Sequence, residues 1–101
     1  MWRLTIKTLK VDNDCIKIIV SVSSFRFGQE LLISRSQARR LLTCIASVEI
    51  VVFDFNDITR IGQAFADEIF RVYAKRNPQI ELLYQNVCKD VEFMILRAKG
   101  G

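Results

Sequence analysis

Hydrophobic positions along this chain fall into blocks with two different periods. Trp2, Leu4 and Ile6 alternate with Arg3, Thr5 and Lys7, and a second alternation follows at Ile16, Ile18, Val20 and Val22. A period of two marks half-buried strands. Asp12-Asn13-Asp14 between them supplies turn chemistry, so the first two strands are expected to form a hairpin. The run from Val48 to Phe55, VEIVVFDF, is apolar on both sides of an extended chain. That pattern predicts a central strand of a parallel sheet, covered on both faces. Ile80 to Gln85 reads as a further parallel strand.

The intervening blocks follow the helical period. Ser34-Arg35-Ser36-Gln37 fits a capping box, in which the Ser34 hydroxyl accepts from the Gln37 amide and the Gln37 side chain reaches back. Ala38, Leu41, Leu42 and Ile45 then form one apolar stripe, with Arg40 and Thr43 on the opposite side. After a turn from Asn56 to Ile61, a helix is predicted from about Gln63 to Lys75, stopped by Asn77-Pro78. On its wheel Gly62, Phe65, Ala66, Ile69, Phe70 and Tyr73 share the sheet-facing side, while Gln63, Ala64, Asp67, Glu68, Arg71 and Lys75 face outward. Asn86 is placed to cap a last helix, where Val91, Met94, Ile95 and Ala98 recur. Ser23 to Ile33 is less regular; Phe25 and Phe27 fit a short edge strand broken by Gly28. The expected order is β-β-α-β-α-β-α, an α/β fold with a mixed sheet and right-handed crossovers. Residues 1–101 are expected to form a single domain, with no repeat or linker.

Composition narrows the chemistry. The chain has no His, which excludes His-based triads, His metal sites and imidazole bases. Cys15, Cys44 and Cys88 are far apart and never in a CxxC spacing, so they fit inert thiols in a reducing cytosol rather than a zinc site or disulfides. No secretory or membrane-spanning stretch is present, and a soluble cytoplasmic protein is expected. The net charge is +4, and the excess lies early: residues 1–47 carry eight Lys/Arg against three Asp/Glu, residues 48–101 seven against eight. Arg35, Arg39 and Arg40 concentrate it on the first helix. They are the candidate contacts for nucleic acid or an acidic partner, against the plainer reading of a solvated face.

In open parallel sheets, ligands and partners meet the crevice beyond the carboxyl ends of the strands. The turn after Asp54 and the helix start at Gly62-Gln63 lie there, which makes Gly62, Gln63, Ala64, Asp67 and Arg71 the candidate partner-binding residues. Each has a structural alternative. Gly62 is small either for backbone approach by a partner or for packing on the strand. Asp67 and Glu68 serve either in contacts or in offsetting the helix dipole and pairing with Arg71. Asp54, Asp57 and Asp67 suit turn and cap roles better than Mg²⁺, with Arg60 nearby to compensate them. Phe25 and Phe27 beside Arg26 suit core cover better than base stacking. Thr59 is a weak phosphoacceptor candidate. No catalytic residue, metal site or cofactor is expected, and the chain reads as a binding module rather than an enzyme.

SRSQARRLL (Ser34–Leu42), VVFDF (Val51–Phe55), IGQAFADEIFRVYAKRNPQIEL (Ile61–Leu82) and DVEFMILRA (Asp90–Ala98) together resemble the STAS-like domain family of unknown function. More distantly, that family is similar to the STAS domains of anti-sigma-factor antagonists and of sulfate-transporter tails. The resemblance implies a four- or five-stranded sheet with helices mainly on one face. Such small bacterial or phage proteins occur alone, fused to DNA-binding helix-turn-helix domains, or beside histidine-kinase-like ATPases. It therefore implies a regulatory protein–protein contact, with such an ATPase as the candidate partner. In the antagonists, a strand ending in Asp-Leu is followed by Asp-Ser-Ser-Gly at the next helix start, where the second serine is phosphorylated. Aligning Asp54-Phe55 with Asp-Leu puts Gly62, Gln63, Ala64 and Phe65 under that motif. Ala64 has no hydroxyl, so the phosphoserine switch is not expected here.

Overall fold

A computed structural model describes residues 6–11, 15–25, 30–43, 45 and 48–100. Trp2, Leu4, the Asp12-Asn13-Asp14 turn, Arg26, Phe27, Gly28 and Cys44 lie outside the described residues. Strands β1 (Ile6–Val11), β2 (Cys15–Ser21), β3 (Ile50–Asp54) and β4 (Glu81–Gln85) form one four-stranded sheet in spatial order β1-β2-β3-β4. β1 and β2 pair antiparallel, Ile6 opposite Val20 and Val11 opposite Cys15, as a hairpin requires. β2, β3 and β4 run parallel, with Ile18, Val51 and Leu82 in one register row and Val20, Phe53 and Tyr84 in another.

The helices are α1 (Val22–Phe25), α2 (Arg35–Leu42), α3 (Gln63–Asp67), α4 (Ala74–Arg76) and α5 (Lys89–Gly100). Residues Glu68–Tyr73, between α3 and α4, form a π segment, so Gln63 to Arg76 is one continuous helical rod. Asn77 ends it, its amide donating to the Tyr73 carbonyl (3.0 Å) just before Pro78. The Ser34 capping box is formed in full and starts α2. Gln37 does more than cap: its Oε1 accepts from the Ile33 and Ser34 amides and its Nε2 donates to the Leu31 carbonyl, fixing the approach to the helix.

Helices pack on one face of the sheet. Phe65, Ala66, Ile69 and Phe70 of the rod, Ala38, Leu41 and Leu42 of α2, and Val91, Ile95 and Ala98 of α5 share one core with Ile18, Val20, Val51 and Phe53. Phe70 stands edge-on to both Phe53 (5.7 Å) and Tyr84 (6.2 Å), tying the rod to β3 and β4.

Three expectations change. Phe25 lies on the single-turn helix α1 rather than an edge strand, because Ser21 ends β2 and its hydroxyl accepts from the Ser24 amide (3.4 Å), turning the chain back and burying Phe25. The last helix begins at Lys89 and is not capped by Asn86. Asn86 instead takes a positive φ of 56°, a region asparagine tolerates, and its amide donates to Asp54. Glu68, outward on the helical wheel, is 5 % exposed. The wheel treats the helix alone, whereas α2 lies along this flank and covers it.

Candidate protein-binding surface

The rod starts where the strand-end turn is pinned from several sides. Asp54 accepts from the Asn56 amide and from the Gln85 and Asn86 side chains, which fixes the chain as it leaves β3. Ile58 and Ile61 are buried below the turn, and Asp57 takes a φ of 68°. Leu32 and Ile61 form an isolated parallel bridge, and the Gly62 amide donates to the Leu32 carbonyl (2.8 Å). A Cβ on Gly62 would stand 2.7 Å from the Ile33 Cα, so glycine is required here by the backbone passing beside it. Thr59 is exposed on the turn, next to Cys88, whose thiol lies 3.4 Å from the Thr59 carbonyl.

Two surfaces that are separate in sequence form one seam in space. Arg35 Nη1 lies 2.7 Å from Asp67 and 3.3 Å from Glu68, and Arg39 Nε lies 3.3 Å from Glu68. Arg71 closes on Asp67 from the next turn, Nε to Oδ1 at 2.5 Å and Nη2 to Oδ2 at 2.7 Å. A planar guanidinium matches a carboxylate in this two-bond way. The third arginine turns elsewhere: Arg40 donates to Glu30 (2.8 Å) while its guanidinium lies over the Phe25 ring at 5.0 Å.

These contacts set the electrostatics. The Arg71 hydrogen bonds, helped by Arg35, hold the Asp67 carboxyl down at about 2, and Asp67 in turn raises both arginines. The seam therefore joins three arginines to two carboxylates, with Asp67 charged at any neutral pH. Gln63 and Ala64 stand at its end, Gln63 exposed and Ala64 half-buried, and with Arg35 and Asp67 they line an open depression of about 500 Å³. At the other end, Arg39, Leu42, Val72, Tyr73 and Arg76 flank a smaller groove of about 240 Å³.

Of the residues expected from sequence, Gln63, Ala64 and Asp67 line one depression together with Arg35; Arg71 supports it from behind through Asp67, and Gly62 lies at the rod's entry against Ile33. Arg35 and Arg39 belong to this same seam, and Arg40 does not. Glu30 was not singled out from the sequence, and Glu68 was placed on the outward face with Arg71 as its partner rather than against the first helix. Glu68 had a signal in its spacing from Arg71 and in the arginines one turn apart on the first helix, but the link between helices is tertiary. Asp54 is held by Asn86 and Asp67 by Arg35, and no cluster of three or more metal-binding side chains occurs among the described residues. No helix among them is long and apolar enough to cross a membrane.

Residues 37–92, more than half of the chain, match the family model of the STAS-like domain of unknown function. The chain belongs to that family. No curated protein and no solved structure matches it.

Proposed function

We propose that the chain is a cytoplasmic, non-enzymatic regulatory module that binds a protein partner through the seam of α2 and α3, and that this partner is a histidine-kinase-like ATPase. The depression lined by Arg35, Gln63, Ala64 and Asp67 carries the reading. Its charged walls are held in place by their own ion pairs, so little side-chain freedom remains to be lost on association. Its floor is small at Ala64, leaving room for a partner side chain. The bacterial or phage setting that the family resemblance implies fits the same role.

The pairing of Arg35, Arg39 and Arg40 with Asp67, Glu68 and Glu30 favours a protein over nucleic acid. Phosphate binding draws on cations able to displace counterions, and these cations already face carboxylates. Regulation by phosphate on Ala64 is closed, since an alanine offers no oxygen to accept it.

Ala64→Gln tests the reading, because it intrudes into the depression without adding a charge that could compete for Asp67. Wild-type protein should retain a purified histidine-kinase-like ATPase of the same organism on an affinity column, and the variant should lose it at unchanged melting temperature. Equal retention by both contradicts the site. A salt-sensitive gel shift with DNA or RNA that Arg39→Ala abolishes would assign the seam to nucleic acid instead.

A further inference from the structure

The face of the sheet away from the helices presents a second, independent surface. Ile19, Ile50, Val52 and Leu83 alternate with the core residues of β2, β3 and β4 and stand outside the core cluster. Ile19, Val52 and Leu83 lie in one register row, which begins at Lys7 on β1, with Leu83 39 % exposed and Val52 only 5 %; Leu9, Lys17, Ile50 and Glu81 form the next. No described helix packs there. Parallel strands are ordinarily covered on both faces, and an apolar row across three of them is the pattern of a covered sheet.

We infer that this face is the interface of a two-fold symmetric dimer, the cover being a second copy of the chain. The charges select that occupant. Lys17 on β2 and Glu81 on β4 flank Ile50 within their row, and neither forms an ion pair among the described residues. A two-fold axis parallel to β3 and passing over it lays β4 of one copy on β2 of the other and leaves β1 of each outside the overlap. Lys17 then meets Glu81 of the second copy at both ends, Ile19 meets Leu83 twice, and Val52 and Ile50 meet their own counterparts on the axis. Such an interface is self-complementary, as two-fold contacts must be. It keeps strand directions aligned, one of the two standard ways sheets stack, about 10 Å apart.

The size of the patch sets the strength. At about 4.8 Å per strand and 3.3 Å per residue, the whole face of the sheet spans on the order of 300 Å² in footprint. That lies well below the ~800 Å² per partner of stable complexes, so association is weak and concentration-dependent.

Sedimentation equilibrium of the whole chain across a concentration series tests this. Wild type should pass from monomer to dimer as concentration rises toward about 1 mM, the range of weak complexes. Leu83→Arg, at an exposed position, should remain monomeric with an unchanged melting temperature. Lys17→Glu and Glu81→Lys should each weaken the dimer by about tenfold, and the two combined in one chain should restore it. A wild type that is monomeric throughout overturns the proposal, as does a dimer indifferent to Leu83→Arg. A double variant no tighter than its parents overturns the two-fold arrangement. A monomeric chain whose Leu83→Arg variant loses the ATPase would give the face to that partner and also contradict the dimer.

Discussion

Along the seam between α2 and α3, Arg35, Arg39, Arg71, Asp67 and Glu68 close on one another, whereas on the face of the sheet away from the helices Lys17 and Glu81 stand two strands apart with Ile50 between them. Both surfaces carry charge, and among the described residues only the first answers it internally. The cluster of Arg35, Arg39 and Arg40 is thus a poor guide to binding, because the carboxylates of Glu30, Asp67 and Glu68 meet it in the fold. Charge that a fold compensates gives a surface shape and rigidity. Charge left uncompensated on an apolar face leaves something for a second molecule to complete.

The sharpest contrast lies within one strand. Phe53 faces the helices and is fully buried, and Val52, one residue before it, is 5 % exposed on the opposite face. Phe53→Ala should cost about 3–5 kcal/mol of folding stability, because a large cavity opens in a packed core. Val52→Ala should cost about 1–2 kcal/mol, in proportion to the two methyl carbons lost. Urea denaturation of both variants at low protein concentration measures the gap; equal losses would erase the distinction between the faces.

The next effect breaks the seam. Asp67→Arg removes the acceptor shared by Arg35 and Arg71 and adds a third cation beside them, for an expected loss of about 2–3 kcal/mol. On a free helical surface the same reversal would cost a few tenths, so the melting temperature separates the two situations. Acid should act on the same bond. Asp67 has a folded value of about 2 against an ordinary 3.8, so its contribution is complete above the ordinary value and is lost as the pH falls from there through about 2. A pH series of urea midpoints should show wild type losing stability across that window more steeply than Asp67→Asn, whose amide does not titrate. Parallel curves would remove Asp67 from the acid response. Smallest of all is Ala64→Ser, which should stay within about 0.5 kcal/mol of wild type because the position opens onto the depression. Thermal melting checks it.

What the sequence made legible follows from how local each cause is. The capping box of Ser34 and Gln37, the stop at Asn77-Pro78, the apolar β3 and the sheet-facing stripe of Phe65, Ala66, Ile69 and Phe70 are written in neighbouring residues, and each is found in the fold. The turn at Val22–Phe25 was masked by alternating hydrophobicity that continues to Val22, while the serine that redirects the chain looks like any strand-end residue. Asn86 carried a cap-like side chain, which Asp54, 32 residues away, draws to itself. Glu68 is the clearest failure of local reasoning: its burial and its two arginine partners come from a helix separated from it by a whole strand. For the candidate site, residue types at Gln63, Ala64 and Asp67 were readable; their union with Arg35 was not.

The central claim is that a protein partner engages the seam. Backbone amide NMR of the labelled chain during titration with the purified histidine-kinase-like ATPase addresses it most directly, because the two surfaces report separately. The account predicts that signals of Arg35, Gln63, Ala64 and Asp67 shift or broaden first, while Ile19, Val52 and Leu83 keep their positions. Perturbation confined to the sheet face, or none at all, would contradict it.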